Sequence, residues 1–234
     1  MKQHVPYRVK VIARNILDRA RYEDSAITRH ETATFLKKAF AAVQFNGIEG
    51  DYVEFGTGEC FSFSVASRAN ARSSRPQRKL WGFDSFEGLP EEESERDAHR
   101  AWVKGEMAIG IERFHRLCKR KGVRNYELVP GFYDVSLPKL GADFLPRGKI
   151  AIAYVDCDLY SSTKCVLEFL RPRLQGGMIL AFDDFFNFNH TGISGEKRAF
   201  SEFASITSEN FSFQPYIQYA YAGMSYIVED LHTD

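Results

Sequence analysis

Residues 149–184 read "KIAIAYVDCDLYSSTKCVLEFLRPRLQGGMILAFDD". The apolar runs at 149–156 and 177–184 are long enough to be buried strands, and apolar residues recur at helical spacing between them. Ser161 or Ser162 is predicted to cap the start of this helix. Its face towards the sheet would carry Val166, Phe169 and Leu170. Gly176 and Gly177 would end it. A strand, helix, strand unit predicts parallel neighbouring strands joined by a right-handed crossover.

The same alternation recurs upstream, where short strands are predicted at 51–56, 79–84 and 126–131. Near the end of the chain the alternation of strands and helices stops. A helix from Glu196 to Thr207 precedes two strands, "FSFQPYIQ" at 211–218 and "GMSYIVED" at 223–230, which are close enough in sequence to form a hairpin. The pattern predicts an α/β fold with a mostly parallel, seven-stranded sheet and an antiparallel hairpin at one edge.

Helical spacing from about Pro6 to Asn46 predicts an N-terminal helical layer. The 234 residues fit one globular domain better than two. We therefore expect a single domain at 1–234, with the helical layer at 1–48 and the α/β core at 49–234.

The overall charge excludes some classes of partner. Lysine and arginine together number 31, equal to aspartate and glutamate, so there is no basic field that would recruit nucleic acid or an anionic membrane. No stretch approaches the roughly 20 apolar residues that cross a bilayer, and the N-terminus lacks the pattern of a signal peptide. The four cysteines have neither C-x-x-C nor metal-ligand spacing. These features predict a cytoplasmic protein with reduced thiols and a small-molecule partner.

The loop after the first strand, "VEFGTGECFS", is a candidate ligand loop because Gly56 and Gly58 permit a tight turn and close approach of the backbone. A dinucleotide fingerprint would need a third glycine where Phe61 stands, and Glu54 and Glu59 are poor neighbours for a pyrophosphate. A positively charged ligand fits this loop better. An ordinary strand-to-helix turn explains the glycines equally well when they are taken alone.

Asp84 ends the second strand, at the position where α/β nucleotide-binding sheets place a carboxylate that accepts hydrogen bonds from ribose hydroxyls. Alone it also fits a turn or a helix cap. Together with Glu54 and the glycines, it indicates an adenosine site without phosphates.

Four carboxylates follow two adjacent predicted strands: Asp156 and Asp158 after one, Asp183 and Asp184 after the other. If the strand continued through Asp156 and Asp158, both side chains would lie on one side. Repulsion between close like charges is costly unless a cation intervenes. Oxygen ligands alone favour Mg²⁺, leave Mn²⁺ or Ca²⁺ open, and disfavour zinc. The alternative is that some of these aspartates only cap the following helices, Asp158 first among them.

Four stretches, in this order, resemble the macrocin-type sugar O-methyltransferases: "EFGTGECFS" at 54–62, "WGFDSFEGLP" at 81–90, "YVDCDLYSST" at 154–163 and "ILAFDDF" at 179–185. The resemblance covers roughly Gly50 to Phe203. It implies the class I, Rossmann-like methyltransferase fold, S-adenosylmethionine (SAM) as cofactor and Mg²⁺ or Mn²⁺ as metal. The implied reaction methylates a hydroxyl of a small molecule, such as a sugar or a glycosylated natural product.

The resemblance also implies roles for individual residues. The metal ligands would be Asp156, Asp183 and Asp184, and Asp158 would be the general base. With the residues at the ends of the first three strands, the candidate cofactor-binding set is Glu54, Gly56, Thr57, Gly58, Asp84, Ser85, Gly131 and Asp156. The chain departs from the family pattern at Cys157, where the family has glycine, at Ser161, where it has glutamate, and in the segment after Asp184.

Three alternatives remain open. A catechol-type O-methyltransferase would use a lysine as base, and the lysine close after Asp156 is Lys164. A nicotinamide oxidoreductase is disfavoured by the acidic glycine loop, and a non-catalytic SAM-binding module by the four aspartates.

The charged segment 90–106 is either a solvated loop or a lid over the acceptor, and His190 is either exposed or a substrate contact. A homo-oligomer is compatible with the sequence.

Overall fold

The computed structural model of the chain describes residues 26–91, 96–97, 102–141, 144–145, 148–189, 192–193 and 195–232. The strands are β1 (Asp51–Phe55), β2 (Leu80–Asp84), β3 (Tyr126–Pro130), β4 (Ile150–Val155), β5 (Ile179–Phe182), β6 (Phe188–Asn189), β7 (Gly192–Ile193), β8 (Phe211–Tyr219) and β9 (Gly223–Asp230). The helices are α1 (Ala26–Phe45), α2 (Phe61–Ser73), α3 (Ile111–Lys121), α4 (Tyr133–Ser136), α5 (Tyr160–Leu170) and α6 (Gly195–Thr207).

Within these described residues, seven strands form one sheet in the order β3-β2-β1-β4-β5-β9-β8. The first five are parallel to one another, whereas β9 runs antiparallel to β5 and β8 antiparallel to β9. Every residue of β1, β4 and β5 is buried, as expected for central parallel strands that are covered on both faces. The predicted mostly parallel sheet with a C-terminal hairpin is confirmed.

Helices cover the two faces of the sheet and form two apolar clusters. Side chains of α1, α2 and α3 pack on one face, against residues such as Tyr52 and Tyr154. Side chains of α5 and α6 pack on the other face, against residues such as Val53 and Phe55. The alternation of neighbouring residues between the two clusters follows from the period of two in a strand.

The N-terminal helical prediction is confirmed for α1, whose buried residues include the expected Phe35, Leu36, Phe40 and Val43. The Phe35 ring stacks on Tyr219, with ring centroids 4.1 Å apart, so this helix packs beside the hairpin. The rest of the prediction, residues 6–25, lies outside the described residues.

The boundaries of α5 differ from the prediction. Neither Ser161 nor Ser162 caps it. The N-cap residue is Leu159, and the Ser161 backbone N–H donates instead to the Asp97 carboxylate at 2.9 Å. The helix ends at Leu170 and continues as a short 3₁₀ turn at Arg171–Arg173, before the two glycines. Pro172 accounts for this end because its ring lacks an N–H and clashes within an α-helix.

Candidate active site

A cavity of about 350 Å³ lies at the carboxyl ends of the parallel strands. Loops after β1, β2, β3 and β4 all contribute to its wall, as expected for a ligand site in a doubly wound sheet. Six of the residues selected from the sequence line it: Gly56, Gly58, Asp84, Ser85, Asp156 and Asp158. The other selected residues do not line this cavity: Glu54, Thr57, Gly131, Asp183 and Asp184.

Gly56 holds the loop after β1 against the loop after β4. Its φ of +85° is in the left-handed region, and a Cβ at this position would lie 1.8 Å from the Asp156 carbonyl oxygen. No other residue could occupy the position without moving one of the two loops. The close approach places the candidate cofactor loop directly beside the acidic loop.

Asp84 joins the loops after β1 and β2. Its Oδ2 accepts hydrogen bonds from the Thr57 N–H at 2.7 Å and from Thr57 Oγ1 at 3.0 Å, and its Oδ1 accepts from the Phe86 N–H at 2.8 Å. An ionised carboxylate has about four acceptor positions. Asp84 lines the cavity, and its Oδ1, which accepts one of these hydrogen bonds, retains acceptor capacity for a ligand hydroxyl.

Glu54 lies inside the fold, in β1, with none of its surface exposed. One carboxyl oxygen accepts from Ser62 Oγ at 2.6 Å, and the other accepts from the Tyr52 hydroxyl. Burial raises the pKa of Glu54 to about 8, an effect that the hydrogen bonds from Ser62 and Tyr52 partly oppose. Burial therefore favours the protonated form of Glu54, whose hydrogen bonds link β1 to the start of α2.

Three carboxylates come together beyond β4 and β5. Asp156, Asp158 and Asp184 each offer one oxygen, and these three oxygens lie within 4.8 Å of one another. Burial is the main cause that raises the pKa values of Asp156 and Asp184, and neighbouring carboxylates raise them further. In the part of the chain that the structure describes, no lysine or arginine forms a salt bridge with the three.

The local backbone explains why Asp158 joins this group. Strand β4 ends at Val155, and Asp158 has a φ of +62°, so the alternation of a continuous strand does not extend to it. Asp183 has a different partner: its Oδ1 accepts a hydrogen bond from the Tyr154 hydroxyl. Burial raises the pKa of Asp183 to about 6, and the Tyr154 hydrogen bond partly offsets this rise. The assignment of Asp183 as a metal ligand stays a prediction.

Glu196, at the start of α6, also belongs to the site and was not selected from the sequence. It is fully buried, and its two carboxyl oxygens accept hydrogen bonds from two different loops. Oε1 accepts from the Cys157 N–H at 3.0 Å, and Oε2 accepts from the Asp184 N–H at 2.9 Å. Nothing in the sequence around Glu196 indicates this role, because an acidic residue in the first turn of a helix is common.

The remaining selected residues have supporting contacts. The Gly131 N–H donates to the Asp84 carbonyl at 2.9 Å, and Ser85 Oγ donates to the Gly88 carbonyl at 2.8 Å. Lys164, the base expected in the catechol-type alternative, does not line the 350 Å³ cavity; it lines a neighbouring cavity beside Tyr133 and Glu168. His190 lies outside the described residues.

Parts of the segment 90–106 approach the site. Pro90 and Glu91 line the cavity, Asp97 is buried against the first turn of α5, and Arg96 Nη1 donates to the Tyr160 hydroxyl at 2.9 Å. Its residues 92–95 and 98–101 lie outside the described part of the chain.

All four cysteines are free thiols in the structure. No helix within the described ranges is long and apolar enough to cross a bilayer.

The chain is similar to curated natural-product methyltransferases over part of its length. It is 33% identical over 158 residues to 8-demethyl-8-(2,3-dimethoxy-alpha-L-rhamnosyl)-tetracenomycin-C 4'-O-methyltransferase of Streptomyces olivaceus, covering 64% of this chain and 58% of the relative. It is 28% identical over 156 residues to demethyldecarbamoylnovobiocin O-methyltransferase of Streptomyces niveus, covering 60% and 54%. The match thus spans less than three fifths of each relative.

The fold matches solved structures over a greater length. The calicheamicin methyltransferase CalS11 superimposes with a TM-score of 0.68 at 22% identity, covering 96% of this chain and 94% of that one. This likeness confirms the class I methyltransferase fold. The family model described as Macrocin-O-methyltransferase (TylF) matches residues 14–209, which is most of the chain. The chain therefore belongs to the macrocin O-methyltransferase family.

Proposed function

We propose that this protein transfers a methyl group from SAM to a hydroxyl of a sugar or a glycosylated natural product, with the help of a divalent cation. The observation that carries the proposal is the position of three converging carboxylates, Asp156, Asp158 and Asp184, two of which also line the cavity behind the glycine loop. Membership of the macrocin O-methyltransferase family supports the same reaction.

The cofactor would lie in the 350 Å³ cavity. Gly56 and Gly58 let its backbone wall approach the ligand closely, and Asp84 offers Oδ1 to a ribose hydroxyl. Thr57 and Gly131 hold Asp84 in place through the hydrogen bonds described above. SAM supplies an electrophilic methyl group, and no covalent bond to the protein is needed for its transfer.

The acidic group has the donor chemistry of a hard divalent cation. Its three converging ligand atoms are carboxylate oxygens, which suit Mg²⁺ and Mn²⁺, and no imidazole or thiolate in the described chain joins them. Asp156 and Asp184 would hold the cation, with Asp183 as the third ligand predicted from the sequence. A cation bound there would act as a Lewis acid that lowers the pKa of the acceptor hydroxyl.

Asp158 is proposed to take the proton from the acceptor hydroxyl. It lines the cavity, and its carboxylate lies within 4.8 Å of the ligand atoms of Asp156 and Asp184. A positioned carboxylate at this place can remove the proton as the new carbon–oxygen bond forms. The same closeness allows Asp158 to serve as a metal ligand instead, and this alternative is separated experimentally below.

The acceptor class is inferred from the relatives. Their names give a rhamnosyl-tetracenomycin and a decarbamoylnovobiocin derivative as substrates of those proteins. A hydroxyl on the sugar of a glycosylated natural product is therefore proposed for this chain. A vicinal aromatic diol is less well supported, because Lys164 lines a neighbouring cavity and not the 350 Å³ cavity. The cytoplasmic location and a possible homo-oligomer stay predictions.

The proposal is tested by incubating the protein with SAM, Mg²⁺ and a panel of rhamnosylated natural products and catechols. Formation of S-adenosylhomocysteine and the mass of the methylated product are measured together. We expect methylation of a glycoside that stops with EDTA and resumes when Mg²⁺ is added back. Full activity in EDTA would contradict the cation, methylation of catechols alone would contradict the acceptor, and SAM binding with no transfer to any acceptor would favour a non-catalytic module.

A further inference from the structure

We propose that Gly195 and Glu196 are positioning residues that hold the two aspartate-bearing loops at the separation needed for a divalent cation. This inference rests on the proposed function, because the cation is part of that function. It concerns the described contacts at the start of α6, and it adds a role that the family motifs quoted above do not contain.

The carboxylate of Glu196 bridges the two loops through their backbones. Cys157 stands between Asp156 and Asp158, and its N–H donates to Glu196 Oε1 at 3.0 Å. The N–H of Asp184, in the other loop, donates to Glu196 Oε2 at 2.9 Å. One side chain therefore fixes the distance between the peptide groups that carry the acidic residues. Each carboxyl oxygen of Glu196 thus has its own backbone donor, one in each loop.

Gly195 lets the start of α6 come close enough for this bridge to form. A Cβ at this position would lie 2.4 Å from the Asp158 carbonyl oxygen and 3.0 Å from the Tyr160 backbone nitrogen. Both neighbours are backbone atoms, so neither can rotate away as a flexible side chain could. Any larger residue would therefore push α6 and the Asp158 loop apart.

Gly195 and Glu196 together form what we call the clamp, and the clamp opposes the repulsion between the aspartates of the two loops. Asp156, Asp158 and Asp184 carry like charges when ionised, and their repulsion tends to separate the two loops. Glu196 adds a further carboxylate, but both of its oxygens point to backbone N–H groups. This geometry is what a supporting residue requires, since such residues orient ligands without contacting the metal, and their loss typically weakens metal binding about 10- to 100-fold.

The test measures Mn²⁺ binding by the electron paramagnetic resonance signal of the free ion, with no acceptor present. Glu196→Asp keeps the carboxyl group but shortens the side chain, so it cannot reach both N–H groups. Gly195→Ala changes no charge and introduces the Cβ contact with the Asp158 carbonyl. Glu209→Asp, in the exposed turn after α6, is the matched control. Calorimetric titration with S-adenosylhomocysteine reports whether the cofactor loops remain folded.

We expect both clamp variants to bind Mn²⁺ about 10- to 100-fold more weakly than the wild type, with S-adenosylhomocysteine affinity within about threefold. The control should match the wild type in both titrations. Wild-type Mn²⁺ affinity in Glu196→Asp and Gly195→Ala would overturn the clamp, as would loss of both ligands together in both variants, which indicates a general role in folding. If the wild type binds no Mn²⁺, the divalent cation of the proposed function is refuted, and the positioning role of Gly195 and Glu196 is refuted with it.

Discussion

Replacing Glu54 by glutamine tests whether this buried carboxyl in β1 makes the stability of the protein depend on pH. Burial raises the pKa of Glu54 to about 8 in the folded protein, against an ordinary value of 4.5. A carboxyl whose folded pKa is raised contributes stability that is fully present below its unfolded pKa and is lost as pH rises through the folded one. The free energy of unfolding should therefore fall between about pH 5 and pH 8.

The size of this loss follows from the two pKa values. Each pH unit between them removes about 1.4 kcal/mol, so the step from pH 6 to pH 9 costs on the order of 2 to 3 kcal/mol. For a chain of this length that corresponds to a decrease in Tm of roughly 5 to 10 °C. Glu54→Gln removes the ionisable group but keeps both partners, because the hydroxyls of Tyr52 and Ser62 can donate or accept.

The assay is urea unfolding of the wild type and Glu54→Gln at pH 6 and pH 9, with EDTA present. The wild type should lose about 2 to 3 kcal/mol more than the variant over this range. Glu209→Gln, an exposed substitution of the same kind, should retain the wild-type dependence on pH. If the wild type and Glu54→Gln lose the same free energy, Glu54 does not have a raised pKa, and the neutral state assigned to it is wrong.

Three further substitutions separate the roles of the remaining site residues. Asp84→Ala should weaken S-adenosylhomocysteine binding by about 1 to 3 kcal/mol in calorimetry, and unchanged affinity would exclude a ribose contact. Asp158→Asn should lower turnover about 10²- to 10⁴-fold while Mn²⁺ affinity is nearly kept; a parallel loss of Mn²⁺ affinity would make Asp158 a ligand rather than the base. Tyr154→Phe removes the hydrogen bond that lowers the pKa of Asp183, so Mn²⁺ binding should be lost at a higher pH than in the wild type. An unchanged pH profile of Mn²⁺ binding in that variant would argue that Asp183 is not a ligand.

The architecture could be predicted because its signals are local. The run at 149–156 became β4 at Ile150–Val155, and the run at 126–131 became β3 at Tyr126–Pro130. In both cases a stretch favourable to a strand is followed by glycine or aspartate, and such turn-forming residues indicate where a strand ends. The order of the elements then leaves few ways to connect them, since crossovers between parallel strands are right-handed.

The site was only partly predictable because its remaining features depend on contacts between distant segments. Asp97 takes the capping role at α5 that was expected of a serine, although 64 positions separate it from Ser161. Glu196 reaches back 39 positions to the Cys157 N–H. The positive φ of Asp158, which brings it to the acidic group, arises after β4 has ended, where the pattern of the strand no longer applies. None of these contacts leaves a periodic signal in the sequence.

The electrostatics of the site link metal binding to pH. Burial raises the pKa values of Asp156, Asp184 and Glu54, so the metal-free protein can hold protons where it would otherwise hold uncompensated charge. A cation must displace the protons from its ligands, and its affinity should therefore increase as pH rises. The metal-free protein loses stability over that same range, because its buried carboxyls become ionised. A cation bound at Asp156 and Asp184 would thus stabilise the fold most at the pH at which the metal-free protein is weakest.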